Sequence, residues 1–424
     1  MDHQNTTNSV PPVIEPVVPD EAVSQHQARP WAFAILLVGV VCMGMGQTIV
    51  FAVLPPIARN IGIADFQVGA IFMTSAIFWV LFGPFWGRLS DQWGRRPLIL
   101  IGIAGFTISM VLFATSIRLG MAGVLSGAGL YVLMISMRSI YGIVGSAQPS
   151  AAQAYIADRT TPEKRTKGLA SMGAAFGIGT TFGPAFAGIT VAFGPLAPLY
   201  AVACLGALAW IAVFFLLPEN NPPKKRQTPP RVKLTDPRTK PFLIYGLISG
   251  AISAVPIQLI GFYFIDALSL SETDALTRVS IALTASALAS LFAQTVLVGK
   301  LSLRPGTLIL LSPIFFIIAN VLFASASNQF FLTLGAAMSG LGAGMGFPGF
   351  AAAASLAVNQ NEQGATAGLA NAASASGFIL APLFGFALYD IDIRAPFMFT
   401  AVLAVSLLTF CLSSEKIRAL NKPA

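Results

Sequence analysis

Along most of this chain the apolar positions follow neither the period of two of a half-buried strand nor the narrow stripe of an amphipathic helix. They run on for about 20 residues at a time. Clusters of Pro, Gly and charge interrupt the runs and predict helical spans near 32–54, 66–87, 97–117, 121–156, 168–191 and 196–217, then 241–265, 279–299, 306–325, 329–357, 364–389 and 396–414. Strands of a membrane barrel would be about ten residues long and would alternate polar with apolar. Twelve long helices are the expectation.

Composition turns long helices into membrane helices. Hydrophobic residues make up 55% of the 424 and charged residues only 10%, against about 25% charged in a typical soluble protein, and the mean hydropathy is +0.75. So few ionised side chains cannot cover a water-facing surface of this size, so most of the outer surface must meet hydrocarbon. Cys42, Cys204 and Cys411 stand singly in apolar spans without metal-ligand spacing and read as packing residues. Both histidines, His3 and His26, precede the first span, which leaves no membrane-embedded imidazole for a metal or a proton relay. Residues 1–30 carry Glu15, Asp20 and Glu21 rather than a basic leader, and are expected to form a disordered cytoplasmic tail rather than a cleaved signal.

The formal charge of +8 suggests nucleic acid until the charges are sorted by loop. Twenty of the 25 Lys and Arg fall in segments on one side of the predicted topology; Arg59, Arg118, Arg278 and Arg394 fall on the other, and Arg138 lies within a span. The positive-inside rule then places both termini in the cytoplasm, and no nucleic-acid partner is expected. Segment 218–240, rich in Pro, Lys and Arg, reads as a basic cytoplasmic linker on the anionic inner leaflet.

The linker separates two similar halves. Gly87-Arg88-Leu89-Ser90 returns as Gly299-Lys300-Leu301-Ser302, Pro149 as Pro348, Gly168-Leu169-Ala170 as Gly368-Leu369-Ala370, and Gly183-Pro184 as Ala381-Pro382. Four landmarks in one order imply a duplicated six-helix unit. The expected architecture is an all-α membrane protein with a six-helix bundle over 31–217, the linker, a second bundle over 241–414 and a tail at 415–424. Paired bundles of this kind are the architecture of carriers with a solute site at the bilayer midplane between them.

The segment following span 2 reads Gly87-Arg88-Leu89-Ser90-Asp91-Gln92-Trp93-Gly94-Arg95-Arg96-Pro97. Gly94 permits a turn with positive φ, and Asp91 can pair with Arg95 or Arg96, giving either a charge latch at a helix junction or plain topology anchors. The second copy, Gly299 to Pro305, lacks the aspartate, so a latch there should be weaker. Beyond Arg138, Tyr141, Gly142 and Gly145 comes a loop at Tyr155-Ile156-Ala157-Asp158-Arg159, and span 5 then carries Gly179-Thr180-Thr181-Phe182-Gly183-Pro184-Ala185-Phe186-Ala187-Gly188. Small residues allow close helix approach and Pro184 can bend the helix, so this stretch is a hinge, a seal or ordinary packing. The segment after span 2 resembles the signature loop of the major facilitator superfamily. The span-five stretch, with Gly179, Gly183, Pro184 and Gly188, resembles the glycine-proline motif of its antiporter branch. Most of the chain is thereby similar to the twelve-span drug:proton antiporters, a group that includes tetracycline and multidrug efflux pumps.

Arg138 is the one charge near the middle of a span, where an arginine costs about 2.5–3.5 kcal/mol on insertion scales. A polar cavity or helix-to-helix bonding to carbonyls would each account for it, and the resemblance implies a role in proton or substrate coupling. Such antiporters often carry an acid in span 1; on the Val53-Leu54-Pro55 register this chain has Met43 there, with Gln47 the nearest strongly polar residue. Asp266 and Asp390, near the ends of spans 7 and 11, read as hydrated caps. Further wall candidates are Thr48, Gln258, Tyr263, Gln294 and Asn371. An aromatic, sparingly polar wall suits amphiphilic organic molecules, and a lone cation suits an anionic or strongly accepting group on them. No phosphate loop is present, so ATP hydrolysis is not the expected energy source; the resemblance implies a proton gradient instead, and no cofactor and no metal are expected. The expected function is secondary active export of amphiphilic compounds by a monomer in the cell's inner membrane. Import or uniport of an organic anion, metabolite or siderophore is the alternative, and no enzyme activity is expected.

Overall fold

The computed structural model describes residues 30–158, 162–218, 232–326, 328–359 and 362–420. The expected N-terminal tail, the core of the basic linker and the last four residues lie outside these. Among the described residues, twelve helices are long and apolar enough to cross a membrane. In the first half they are span 1 (Pro30–Ala58), span 2 (Asp65–Trp93), span 3 (Arg95–Met121), span 4 (Gly127–Ile140 continuing to Asp158), span 5 (Pro162–Thr190) and span 6 (Ala197–Leu216). In the second they are span 7 (Lys240–Leu268), span 8 (Glu272–Phe292 continuing to Lys300), span 9 (Pro305–Ser325), span 10 (Gln329–Leu356), span 11 (Gln363–Tyr389) and span 12 (Ala395–Ser413), followed by a short helix, Glu415–Ala419. An even number of spans brings Pro30 and Leu420 to one face, here the terminal face; the opposite one is the distal face.

Several boundaries differ from the sequence expectation: span 4 starts at Gly127 rather than near 121, span 5 at Pro162 rather than near 168 and span 8 at Glu272 rather than near 279. Span 2 does not end at residue 87: Gly87 to Trp93 continue as helix, and the chain turns only at Gly94, whose φ of 94° suits a residue without a side chain. The segment read as a loop around Tyr155 is also helical, to Asp158. Polar side chains in both places satisfy a helix at the membrane surface as well as a loop, so charge alone misplaces the ends. Span 4 is interrupted by one π-helical stretch, Tyr141–Gly145, and span 8 ends in another, Ala293–Lys300.

The duplication is visible in how the helices touch. A β-carbon on Gly44 in span 1 would lie 2.5 Å from Phe176 O of span 5; one on Gly250 in span 7 would strike Ser374 O of span 11. Likewise Gly142 of span 4 rests on Ser75 O of span 2, and Gly340 of span 10 on Ser286 O of span 8. Without a hydrophobic force between helices in lipid, such backbone-to-backbone packing is what holds a bundle together. Across the halves, span 1 meets span 7, span 2 meets span 11 and span 5 meets span 8. Two of these contacts lie near the distal face, where Pro55 packs against Gly261 and Phe386 lies over Gly69.

Candidate functional site

The π-helical stretch in span 4 follows directly on Arg138 and opens the local backbone: Ile143 O accepts a 2.5 Å hydrogen bond from the Trp86 indole of span 2. Stretches of this kind frequently mark functional sites. Arg138 and Tyr141, three residues apart, share one helix face, and the guanidinium sits 4.3 Å from the phenol ring centroid. From span 1, Gln47 Oε1 accepts a hydrogen bond from Arg138 Nη2 at 3.1 Å. Trp79 and Phe106 close the far side of Tyr141, at 5.0 and 6.0 Å between ring centroids.

Arg138 is 1% exposed; of the two accounts open from sequence, a polar cavity and bonding between helices, the second is the nearer, with an amide oxygen of span 1 rather than a backbone carbonyl as the acceptor. Stacking on a ring and bonding to an amide offset part of the desolvation that would otherwise drive the charge toward water. Gln47, half-buried, is the member of the cluster that reaches a surface. Arg138 Nε and Nη1 have no acceptor among the described residues, and no described carboxylate pairs with this cation. Two donors of a buried cation are therefore free for a group that accepts hydrogen bonds.

The other wall candidates do not join this cluster. Thr48 bonds back to Gly44 O and Met45 O in its own helix. Tyr263, expected in the wall, is a core residue: its hydroxyl donates to Phe323 O at 2.5 Å and its ring packs 4.5 Å from Phe397. Gln258 is buried and donates to Phe378 O of span 11 at 3.3 Å, and its own carbonyl oxygen has no partner among the described residues. Gln294 donates to Ser290 Oγ one turn earlier, and Asn371 is exposed on span 11. Span 5 runs as one helix through Pro184. Gly179 and Gly183 seat it on Val41, Met45 and Thr48 of span 1, and Gly188 faces Ser280 of span 8.

On the terminal face Arg95 gathers three partners: Asp91 Oδ1 at 2.6 Å, Asp158 Oδ2 at 2.8 Å and Ser90 Oγ at 2.7 Å. Spans 2, 3 and 4 are so tied at one guanidinium. Arg96 turns away to donate to Phe214 O of span 6, and Gly87 has open space around it. The second half has a different clamp. Arg238, entering span 7, forks onto both oxygens of Glu362 at 2.9 Å and also pairs with Asp236 at 2.8 Å. Hydrogen bonds to Glu362 and then Asp236 hold the Arg238 guanidinium above its ordinary range, and Arg238 draws both carboxyls below theirs.

On the distal face Arg59 pairs with Asp65 of span 2 and with Asp266 of span 7, the latter at 2.6 and 2.9 Å, and Tyr389 of span 11 donates to Asp266 Oδ2 at 2.6 Å. Asp65 and then Asp266 raise the Arg59 pKa. Asp266 is thus an interhalf anchor and not a hydrated cap, whereas Asp390 is exposed. Sequence pattern assigns Arg59, Asp65, Asp158, Arg238 and Glu362 no part in a site. A signal existed for the first two: opposite charges six residues apart in the short connection between spans 1 and 2.

The sequence profile described as Major Facilitator Superfamily matches residues 36–308 and 267–423. This chain belongs to that superfamily. Among its relatives, Multidrug resistance protein 2 of Bacillus subtilis (strain 168) is 25% identical over 384 residues, 88% of this chain and 92% of the relative. The class G Tetracycline resistance protein of Vibrio anguillarum is 33% identical over 192 residues, 44% of this chain and 45% of the relative. The chain thus spans about half the length of the tetracycline resistance proteins it matches. A bacterial homolog of the human lysosomal transporter Spinster, solved inward-facing and occupied, superposes with a TM-score of 0.69 at 14% identity, covering 91% of this chain and 97% of that one. Both the family and the fold are those of membrane transporters.

Proposed function

We propose that this transporter exports amphiphilic organic compounds in exchange for protons, by alternating access of its two six-helix halves, as a monomer in the inner membrane of the cell. The names of its relatives, which speak of multidrug and tetracycline resistance, support export of drug-like molecules. The excess of Lys and Arg on the terminal face supports a cytoplasmic placement of that face. The distal face, sealed by Arg59 and Asp266, then looks outward, and the conformation described is closed toward the outside.

The observation that carries the solute assignment is the Gln47–Arg138–Tyr141 cluster, with two unsatisfied donors on a buried cation. A solute bearing an anionic or strongly accepting group satisfies them, and its apolar body packs against the aromatic surround. Gln47 meets the solute first, Arg138 binds it, and Tyr141 holds Arg138 in place. The terminal-face set of Asp91 and Arg95 acts as the inner latch.

The test is flux in reconstituted vesicles. With an imposed pH gradient, the wild-type protein drives an anionic amphiphilic dye across the bilayer, and a correctly folded Arg138→Ala protein does not. Unchanged flux in that variant removes Arg138 from the site, and wild-type flux indifferent to the gradient removes proton exchange. One observation favours a second reading, uptake or uniport of an organic anion: span 1 contains no carboxylate. The direction of counterflow separates the two.

A further inference from the structure

A groove of about 450 Å³ runs between spans 5 and 8, the joint at which the two halves touch along their flanks. Its wall includes Ala185 and Gly188 of span 5 and Thr277, Ser280, Ile281 and Leu288 of span 8. On span 8 the stripe Leu276, Val279 and Leu283 packs into the protein core, whereas Ile281 and Leu288, on the opposite side, are 49% and 53% exposed. Phe182 and Ile189, flanking Ala185 on span 5, are exposed too. Large apolar side chains bared over two neighbouring membrane helices face lipid rather than water, so the groove opens sideways into the bilayer.

Polarity changes along the groove. Ser280 is 3% exposed, lines the groove and has an Oγ with no hydrogen-bond partner among the described residues. It lies six residues in from Asp274, where the membrane-spanning part of span 8 begins, hence about 9 Å below the distal end at 1.5 Å per residue. With about 30 Å of hydrocarbon inside roughly 40–45 Å of bilayer, that depth is the border between headgroups and chains, where the ester linkages of a phospholipid sit. Eight residues further on, about 12 Å deeper, Leu288 marks the wholly apolar end. A hydroxyl at ester depth, followed toward the midplane by Ile281, by Thr284 with its hydroxyl donating back to Ser280 O, and by Ala285 and Leu288, matches one acyl chain with its carbonyl.

We propose that this groove binds a diacyl phospholipid of the distal leaflet, with an ester carbonyl accepting a hydrogen bond from Ser280 Oγ and one acyl chain lying along Ile281 and Leu288 against Ala185 and Gly188. Since the wall is built from both halves, relative motion of the halves changes its width. The bound chain is therefore a spacer at the joint, and bilayer composition enters the transport cycle there.

The experiment places the purified protein in nanodiscs of phosphatidylethanolamine and phosphatidylglycerol, doped with a phosphatidylcholine whose acyl chain carries a diazirine, and maps photolabelled peptides by mass spectrometry. The exposed stretch of span 12 at Val402 and Val405 reports bulk lipid. Label is expected to concentrate on 184–189 and 277–288 relative to span 12. It is expected to fall to the span 12 level in Ala185→Trp, which fills the groove, and to drop about five-fold in Ser280→Ala, the size expected for one lost hydrogen bond. If Ala185→Trp does not fold, Leu288→Trp, at an exposed position, blocks the other end and is expected to give the same loss. Equal labelling of groove and span 12 in the wild type overturns the proposal, as does groove labelling that neither tryptophan lowers. Displacement of the label by micromolar amphiphilic dye, with no effect at span 12, also overturns it, because the groove is then a passage for solute.

Discussion

Arg59, just past the end of span 1, is forked onto Asp266 near the end of span 7, with Nη1 and Nη2 at 2.6 and 2.9 Å from the two carboxylate oxygens. One ion pair thereby joins the two halves at the distal face, seconded by Asp65 from the first half and Tyr389 from the second. Opening the distal side by rocking must break the Arg59 to Asp266 fork and can leave Arg59 with Asp65, since those two move together. The lock is therefore reversible without stranding the arginine.

Replacing Asp266 by Asn removes the charge and keeps the shape. A bidentate, partly buried pair of this kind is worth about 1–2 kcal/mol, so Asp266→Asn is expected to shift the equilibrium about ten-fold toward the distal-open form. Spin-label distances between the distal ends of spans 2 and 11 measure the shift. Tyr389→Phe, which removes one hydrogen bond, should shift it less. Identical distance distributions in Asp266→Asn and wild type would show that the pair does not hold the halves.

The close helix contacts predict opposite outcomes for two glycines. Gly142 lies on Ser75 O, and a methyl group there has no room, so Gly142→Ala should lower stability by about 1–3 kcal/mol through overpacking. Gly87 lies within a helix with nothing within 4 Å of an added β-carbon. Gly87→Ala is expected to be neutral or stabilising by about 0.5–1 kcal/mol. Thermal unfolding of the purified variants gives both numbers. If Gly87→Ala is stable yet transports poorly, the glycine serves motion of the latch and not its folding.

These residues show which parts of the molecule the sequence makes legible. Twelve apolar runs and the repeat define the fold because lipid leaves a long helix few alternatives, and Gly142 with Gly340 keeps the same contact in both halves. Arg138 stood out because a charge in hydrocarbon is costly wherever it points. Its surroundings were not legible: whether it meets a cavity or Gln47 and Tyr141 depends on helix rotation, which an all-round apolar span does not encode. Tyr263 was misplaced for the same reason, being polar in composition but turned toward Phe323 and Phe397. The ion pairs Arg59–Asp266 and Arg238–Glu362 join residues more than a hundred positions apart, and no local pattern announces such partners.

Arg138→Lys is expected to separate charge from geometry. Lysine keeps the positive charge and loses the planar fork and the stacking on Tyr141. Protein yield and thermal stability should remain close to wild type, while gradient-driven flux of an anionic amphiphile falls at least about ten-fold, chiefly through KM, as one charge-assisted hydrogen bond to the solute is lost. Full flux in Arg138→Lys would mean that only the charge is needed and that the unsatisfied Nε and Nη1 donors play no part.

The clamp of the second half makes a prediction about pH. Arg238 pulls the carboxyls of Asp236 and Glu362 below their ordinary values, and a carboxyl whose pKa is depressed on folding contributes stability above its unfolded pKa and loses it as pH falls through the folded one. The clamp thus stabilises at neutral pH and fades only below the usual carboxylate range of about 4. Arg238→Gln should melt a few degrees lower than wild type at pH 7, and the two melting curves should converge as the pH is taken below about 4. High salt should narrow the gap at pH 7 as well, because the pair lies near the surface and is open to screening. The Glu362→Arg, Arg238→Glu double exchange tests the pairing itself: it should recover part of the loss seen in either single variant, and a double variant no better than the worse single one would show that the two side chains act independently.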